Sequence, residues 1–179
     1  MVSESLKGKV VCVVGLGYVG LPLAEAFSEH LPTIGLDIDQ GKIDTLKISW
    51  SKIQATSDPH AIKNADMVLI CVPTPVTKAK DPDLRPIQSA ATMIGQNLKS
   101  GAIVVLESTV YPGVTEEIMV PILERESKLK CGSDFFVGYS PERINPNDDE
   151  HTLDKITKIV AGMDEKTGDQ LSDLYSLVT

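Results

Sequence analysis

Three glycines spaced Gly15-x-Gly17-x-x-Gly20, with Asp37 further along, are the residues whose types and spacing point most directly to chemistry. Gly15 permits a tight turn, Gly17 lets the backbone approach a pyrophosphate, and Gly20 lets a helix lie close to a strand. Tyr18 and Val19, between the last two glycines, would bring their backbone to the same phosphates. A helix starting there turns unpaired N–H groups and a partial positive charge toward the anion. Asp37 lies near the spacing of about 20 residues expected of an acid that accepts hydrogen bonds from a ribose 2′-hydroxyl. Its carboxylate would repel a 2′-phosphate, so the expected cofactor is NAD rather than NADP. Lys42 is either a cation meeting the adenine face or a phosphate, or a solvated helix lysine.

These residues need a strand, a turn, a helix and a second strand to hold them, and the surrounding sequence reads that way. Residues 9–14 are an apolar strand, 21–27 a helix, 33–36 a strand and 39–46 a short helix. Asp58-Pro59 has the form of an N-cap and first helical proline, predicting a short helix over 60–65. A buried strand over 66–72 runs into the rigid turn Val72-Pro73-Thr74-Pro75, where Pro73 and Thr74 would face a cofactor ribose or phosphate; alternatively Thr74 caps the loop. Residues 76–85 read as a surface loop. Ile87, Ala91, Ile94 and Leu98 mark an amphipathic helix with Gly101 as its stop. A strand over 102–107 delivers the hydroxyls of Ser108 and Thr109 to the same edge, ahead of a helix over 115–128 that Pro121 should kink or break. Strands over 134–139 and 156–161 follow, the first delivering Ser140-Pro-Glu-Arg-Ile-Asn-Pro146 to that edge. The predicted fold is α/β, a doubly wound and mostly parallel sheet forming one NAD-binding domain of the Rossmann type over 1–179. Leu171, Leu174, Tyr175 and Val178 mark a helix running up to the last residue, so the chain looks cut.

The composition, 42% hydrophobic and 23% charged over 179 residues, suits a domain with a sizeable core. A formal charge of −8, with acids and bases interspersed, argues against a nucleic-acid or anionic-membrane surface. An anionic cofactor must then be held by local dipoles. The apolar runs fall short of the ~20 residues of a membrane helix, and no apolar signal segment precedes the first strand; the expected location is the cytoplasm. Cys12 and Cys71 sit in apolar runs and are expected to be reduced and buried, and Cys131 sits in a polar turn without an activating neighbour. His30, His60 and His151 are scattered without metal-ligand spacing, and no metal is expected.

The set Gly15-Leu-Gly-Tyr-Val-Gly-Leu-Pro-Leu23, Val72-Pro-Thr-Pro75, Glu107-Ser-Thr-Val-Tyr-Pro-Gly113 and Ser140-Pro-Glu-Arg-Ile-Asn-Pro146 resembles the UDP-glucose/GDP-mannose dehydrogenase family over essentially the whole chain. Its last two members look more like the branch acting on UDP-N-acetylmannosamine, -glucosamine or -galactosamine. The resemblance implies oxidation of a sugar C6 alcohol to a carboxylate with two NAD, through a thiohemiacetal and a thioester on a cysteine. It also implies that Glu142 activates water, that Thr109 positions it, and that Glu142, Arg143 and Asn145 contact the sugar. On its own Glu142 also reads as a solvated loop glutamate, and Thr109 as a helix-approach cap. A second carboxylate found in some members falls here on Pro146. The family's nucleophilic cysteine, its catalytic lysine and asparagine, its dimer-forming helix and its nucleotide-sugar domain lie downstream, and Cys12, Cys71 and Cys131 do not match that cysteine. The chain is therefore expected to bind NAD without completing the oxidation, and the full-length protein to be a homo-oligomer whose partner is a nucleotide sugar. Rival readings are a UDP-glucose or GDP-mannose 6-dehydrogenase, an NAD-binding sensor without chemistry, and a hydroxyacid dehydrogenase, which should lack the Glu-Ser-Thr and Ser-Pro-Glu segments.

Overall fold

The computed structural model describes residues 3–49, 52–76, 80–142 and 157–179. Four-residue strands rich in Val, Ile and Leu form its centre: β1 (Val11–Val14), β2 (Thr33–Leu36), β3 (Ile53–Thr56), β4 (Met67–Ile70), β5 (Ile103–Leu106) and β6 (Phe136–Tyr139), with a short β7 (Ala161–Gly162). The sheet order is β3-β2-β1-β4-β5-β6-β7, parallel throughout except that β7 runs antiparallel to β6. The chain leaves β1 in both directions, toward β2 and later toward β4, and that reversal creates a crevice at the carboxyl ends of the strands.

Every residue of β1, β2, β4 and β5 is buried, as strands covered on both faces must be. Alternate residues serve two cores. Val11 and Val13 join Leu23 and Phe27 of α1 (Gly20–Ser28), Ile43 and Leu46 of α2 (Gln40–Ser49), and Leu171 and Leu174 of α5 (Glu165–Tyr175). Cys12 and Val14 join Ile87, Ala91 and Ile94 of α3 (Arg85–Gly95) and Leu123 of α4 (Val120–Ser127). The sheet is thus doubly wound, as expected. Among the described residues no helix is long and apolar enough to cross a membrane.

Several boundaries depart from the sequence reading. The polar stretch after α2 contains a strand, β3, at the sheet edge; it buries only alternate residues, so no continuous apolar run announces it. Residues 59–64 are 3₁₀ rather than α, with the Asp58 carboxylate accepting from the His60 N–H as an N-cap should. α3 ends at Gly95, where a side chain would run into Glu126 of α4, and Gly101 instead turns the chain into β5 with φ of +83°. Pro121 does not break its helix. Residues Val114–Met119 wind as a π-helix, and α4 starts at Val120, so Pro121 sits in its first turn, where the N–H it lacks is not needed. The strand expected over 156–161 appears only as β7 at Ala161–Gly162, with 157–160 outside regular secondary structure and 156 outside the described residues. α5 begins well before Leu171, where the Asp164 carboxylate accepts from the Thr167 N–H. Trp50 also lies outside the described residues.

Candidate active site

The loops after β1, β2, β4, β5 and β6 enclose one cavity of about 750 Å³, with α3 as a further wall. Its size is ordinary for a small-molecule site. Gly15, Gly17, Tyr18, Val19, Asp37, Lys42, Pro73, Thr74, Ser108, Thr109 and Glu142 all line it. Arg143 and Asn145 lie outside the described residues. Asp37 and Glu142 follow β2 and β6, four strand spacings apart, which is roughly 19 Å at about 4.8 Å per spacing. Such a site is elongated and carries a carboxylate toward each end.

The three glycines divide their work. Gly15, with φ of +94°, turns the chain beside β4, where a Cβ would come within 2.7 Å of the Cys71 carbonyl oxygen. Gly20 lies behind the cavity wall, and a Cβ there would sit 1.9 Å from the Gly15 carbonyl oxygen. Gly17 differs, because a Cβ at this position meets nothing within 4 Å and would project into open space. No side chain caps α1. Leu21 N–H already donates to the Gly17 carbonyl and Pro22 carries no N–H, so the backbone offered to an anionic ligand is that of the Gly17–Gly20 turn at the start of α1, and this cradle fits a pyrophosphate.

Asp37 is fixed before any ligand arrives. Its Oδ2 accepts from the Leu16 N–H at 2.8 Å and from Lys42 Nζ at 2.7 Å, and its Oδ1 accepts from the Asp39 N–H at 2.9 Å. Burial pushes its carboxyl pKa up, but the bonds from Lys42, Asp39 and Leu16, with the Lys42 charge, outweigh that and hold it below the usual carboxylate value. Lys42 therefore serves Asp37 rather than standing free in solvent. Ile38, 89% exposed, projects beside this pair and forms an apolar ledge.

The hydroxyls of the middle loops tie those loops together. Ser108 Oγ donates to the Val72 carbonyl at 2.6 Å and Thr74 Oγ1 to the Thr109 carbonyl at 3.1 Å. They lock the β4 and β5 loops side by side, and Thr109 stands exposed on the cavity wall.

Two features of the site were not read from the sequence. Pro86, Ser89, Ala90 and Met93 of α3 line the cavity. Their spacing defines a second face beside the apolar stripe, and that periodicity was the available signal. Glu107 is the other. It reads as the end of a strand, yet its side chain is fully buried, with Oε2 accepting from Lys158 Nζ at 2.6 Å and Oε1 from the Tyr175 hydroxyl. Burial pushes its carboxyl up; Lys158 pulls it partly back and Glu142 opposes that, leaving it raised to about 7. Nothing in the spacing joins Glu107 to Lys158, which follows β6 by a long connection.

Cys71 lines the cavity but is no nucleophile. Burial, and then the Glu107 charge, push its thiol well above the ordinary value, so the thiolate that attack requires is not populated. Cys12 is buried and pushed up to about 12, and Cys131 is half-buried beside Met163, ahead of β6.

Comparison with known proteins converges on one assignment. The NAD binding domain model of the UDP-glucose/GDP-mannose dehydrogenase family matches residues 9–56 and 49–179. "Protein CapL" of Staphylococcus aureus is 46% identical over 181 residues, covering 94% of this chain and 43% of that protein. The UDP-N-acetyl-D-glucosamine 6-dehydrogenase of Pseudomonas aeruginosa is 42% identical, covering 95% and 44%. The crystal structure of NDP-N-acetyl-D-galactosaminuronic acid dehydrogenase from Methanosarcina mazei Go1 superposes with a TM-score of 0.88 at 30% identity, over 98% of this chain and 44% of that one. The chain thus spans less than half the length of these relatives. With a model match from the first strand to the last residue, and with the glycine cradle, Asp37 and a doubly wound sheet in place, this chain belongs to the UDP-glucose/GDP-mannose dehydrogenase family and constitutes its NAD binding domain.

Proposed function

We propose that this chain holds NAD along the carboxyl edge of its sheet as the cofactor-binding half of a nucleotide-sugar 6-dehydrogenase, with a UDP-N-acetylhexosamine as substrate. The observation that carries the reading is one continuous elongated cavity with Asp37 toward one end, Glu142 and Thr109 toward the other, and the open Gly17 backbone between. Bound NAD supplies the hydride acceptor. In this reading Asp37 holds the adenosine ribose, the Gly17–Gly20 backbone at the start of α1 holds the pyrophosphate, and the tied β4 and β5 loops shape the reacting end. Glu142 takes a proton from water and Thr109 orients that water. No cysteine among the described residues is a usable thiolate, so the chain alone binds cofactor without completing the oxidation. Free thiols at Cys12, Cys71 and Cys131 support a cytoplasmic setting. The amino sugar rather than glucose is supported by the names of relatives at 42% and 40% identity, both UDP-N-acetyl-D-glucosamine 6-dehydrogenases.

Calorimetric titration tests the cofactor assignment. NAD is expected to bind at least about tenfold more tightly than NADP, because a charged acceptor contributes ~1.5–3 kcal/mol when matched and repels a 2′-phosphate. Asp37→Asn keeps the acceptor shape and removes the charge, so it should weaken NAD and narrow the preference. Equal binding of both cofactors by the unmutated chain would overturn the ribose assignment, and no binding of either would overturn the function.

A further inference from the structure

We propose that Lys158 is a positioning residue of this site: its buried ammonium joins the Glu107 carboxylate at the end of β5 to the Pro141 carbonyl after β6, and thereby sets Glu142 against the cavity. The inference rests on the proposed function, in which Glu142 faces the reacting end of the cofactor.

Lys158 comes from the segment leading into β7, and its side chain is 3% exposed. Nζ donates to Glu107 Oε2 at 2.6 Å and, in a longer bond of 3.5 Å, to the carbonyl of Pro141, the residue before Glu142. The ammonium also lies 5.7 Å from the centre of the Tyr175 ring, while the Tyr175 hydroxyl donates to the other Glu107 oxygen. Tyr175 is fixed in turn by an edge-on contact with Phe27 of α1. Four separate elements therefore meet at one charge: β5, the loop after β6, the approach to β7 and α5.

A buried ion pair is a poor way to gain stability, since desolvating both charges offsets most of their attraction. A hydrophobic pair would serve the core as well. What the pair supplies is a donor with two acceptors of fixed separation, one belonging to the sheet and one to the loop that carries Glu142. The ionisable groups facing Glu107 are Lys158 from the β7 approach, Tyr175 from α5, Glu142 from the loop after β6 and the Cys71 thiol from the end of β4. Both Glu107 and Glu142 line the cavity, so the cluster forms part of the wall it holds in place.

The test is NMR on the 179-residue chain with glutamate carboxyl carbons labelled, comparing wild type, Lys158→Met and the double variant Glu107→Gln/Lys158→Met, each with and without NAD. In wild type, NAD is expected to shift both the Gly15–Gly20 amides and the Glu142 carboxyl. Both variants should keep the amide response and lose the Glu142 response, with Glu142 moving to the shift of a solvated glutamate. The double variant leaves no unpaired buried carboxylate, so it reads Glu142 without the loss of stability that Lys158→Met alone suffers at high pH. If the double variant restores the wild-type Glu142 signal, the pair is merely structural and the inference is wrong. If the amides respond in wild type but Glu142 does not, Glu142 does not face the cofactor and the inference is again wrong. If the wild-type amides themselves fail to respond, the proposed function fails first.

Discussion

Gly20→Ala is expected to unfold or severely destabilise the domain, whereas Gly17→Ala should leave its melting temperature almost unchanged and abolish tight NAD binding. The two glycines sit three residues apart in one motif, yet a methyl group meets opposite surroundings at each. At Gly20 it would overlap the Gly15 carbonyl oxygen at 1.9 Å and crowd the Cys71 Cβ at 2.9 Å. Both neighbours are held by the sheet, since Gly15 N–H donates to the Leu36 carbonyl and Cys71 N–H to the Val14 carbonyl, each at 2.8 Å. Relief requires α1 to move off β1, which breaks the contacts of Leu23 and Phe27. A cost of about 3 kcal/mol or more follows, a large part of a typical domain's stability. At Gly17 nothing lies within 4 Å, so stability should change by less than about 0.5 kcal/mol. The methyl then occupies the space where a pyrophosphate must meet the backbone. A loss of about 100-fold in affinity, ~2.7 kcal/mol, is expected. Circular dichroism melts with calorimetric NAD titrations separate the two effects. Gly17→Ala binding NAD like wild type would refute the pyrophosphate cradle.

That contrast also shows what a sequence can and cannot disclose. The Gly15–Gly20 turn, Asp37 and the strands ending at Ile70 and Leu106 were legible because each is carried by local pattern: glycine spacing, an acid after a strand, unbroken apolar runs. Convergence of the loops was legible too, since parallel strands must place their carboxyl ends at one edge. β3 escaped because an edge strand buries one face, and Ile53-Gln-Ala-Thr56 offers only two apolar positions in four. The last strand was drawn too long because Ile156, Ile159 and Val160 supply apolar character in a segment that pairs only at Ala161 and Gly162. At Gly162 a side chain would strike the backbone of α5 at Gly168, a contact that no local pattern announces. Glu107 and Lys158 are the extreme case. Their pairing is set by tertiary closure across 51 residues, and the sequence marks neither as buried.

The same pair carries the second large effect, on stability as a function of pH. The folded-state pKa of Glu107, about 7, lies above its ordinary value of 4.5, so the native state binds the extra proton between those values. Stability from this group is therefore full below about pH 4.5 and is lost as pH rises toward 7, with a limiting slope of about 1.4 kcal/mol per pH unit. Above about 7 the wild-type contribution is constant, because the carboxylate is charged in both states and Lys158 compensates it in the fold. Lys158→Met removes that compensation. The folded-state pKa of Glu107 then moves higher, and the loss of stability continues past pH 7, where wild type has levelled off. At pH 8 the variant should be less stable than wild type by about 3–5 kcal/mol, the usual cost of orphaning one partner of a buried pair. Near pH 5 the carboxyl is protonated and the deficit should shrink to a small fraction of that. Glu107→Gln/Lys158→Met should show neither the extra slope nor most of the deficit. Asp37, Asp66 and Asp83 have lowered pKa values and act with the opposite sign, but below about pH 4, outside this window. Denaturant unfolding at intervals from pH 5 to 9 reads the effect directly, and subtracting the wild-type curve removes every group the variants share. Parallel curves for wild type and Lys158→Met above pH 7 would mean that water reaches Glu107 once the ammonium is gone, and the cluster would then be an ordinary hydrated ion pair rather than the dry clamp its burial describes.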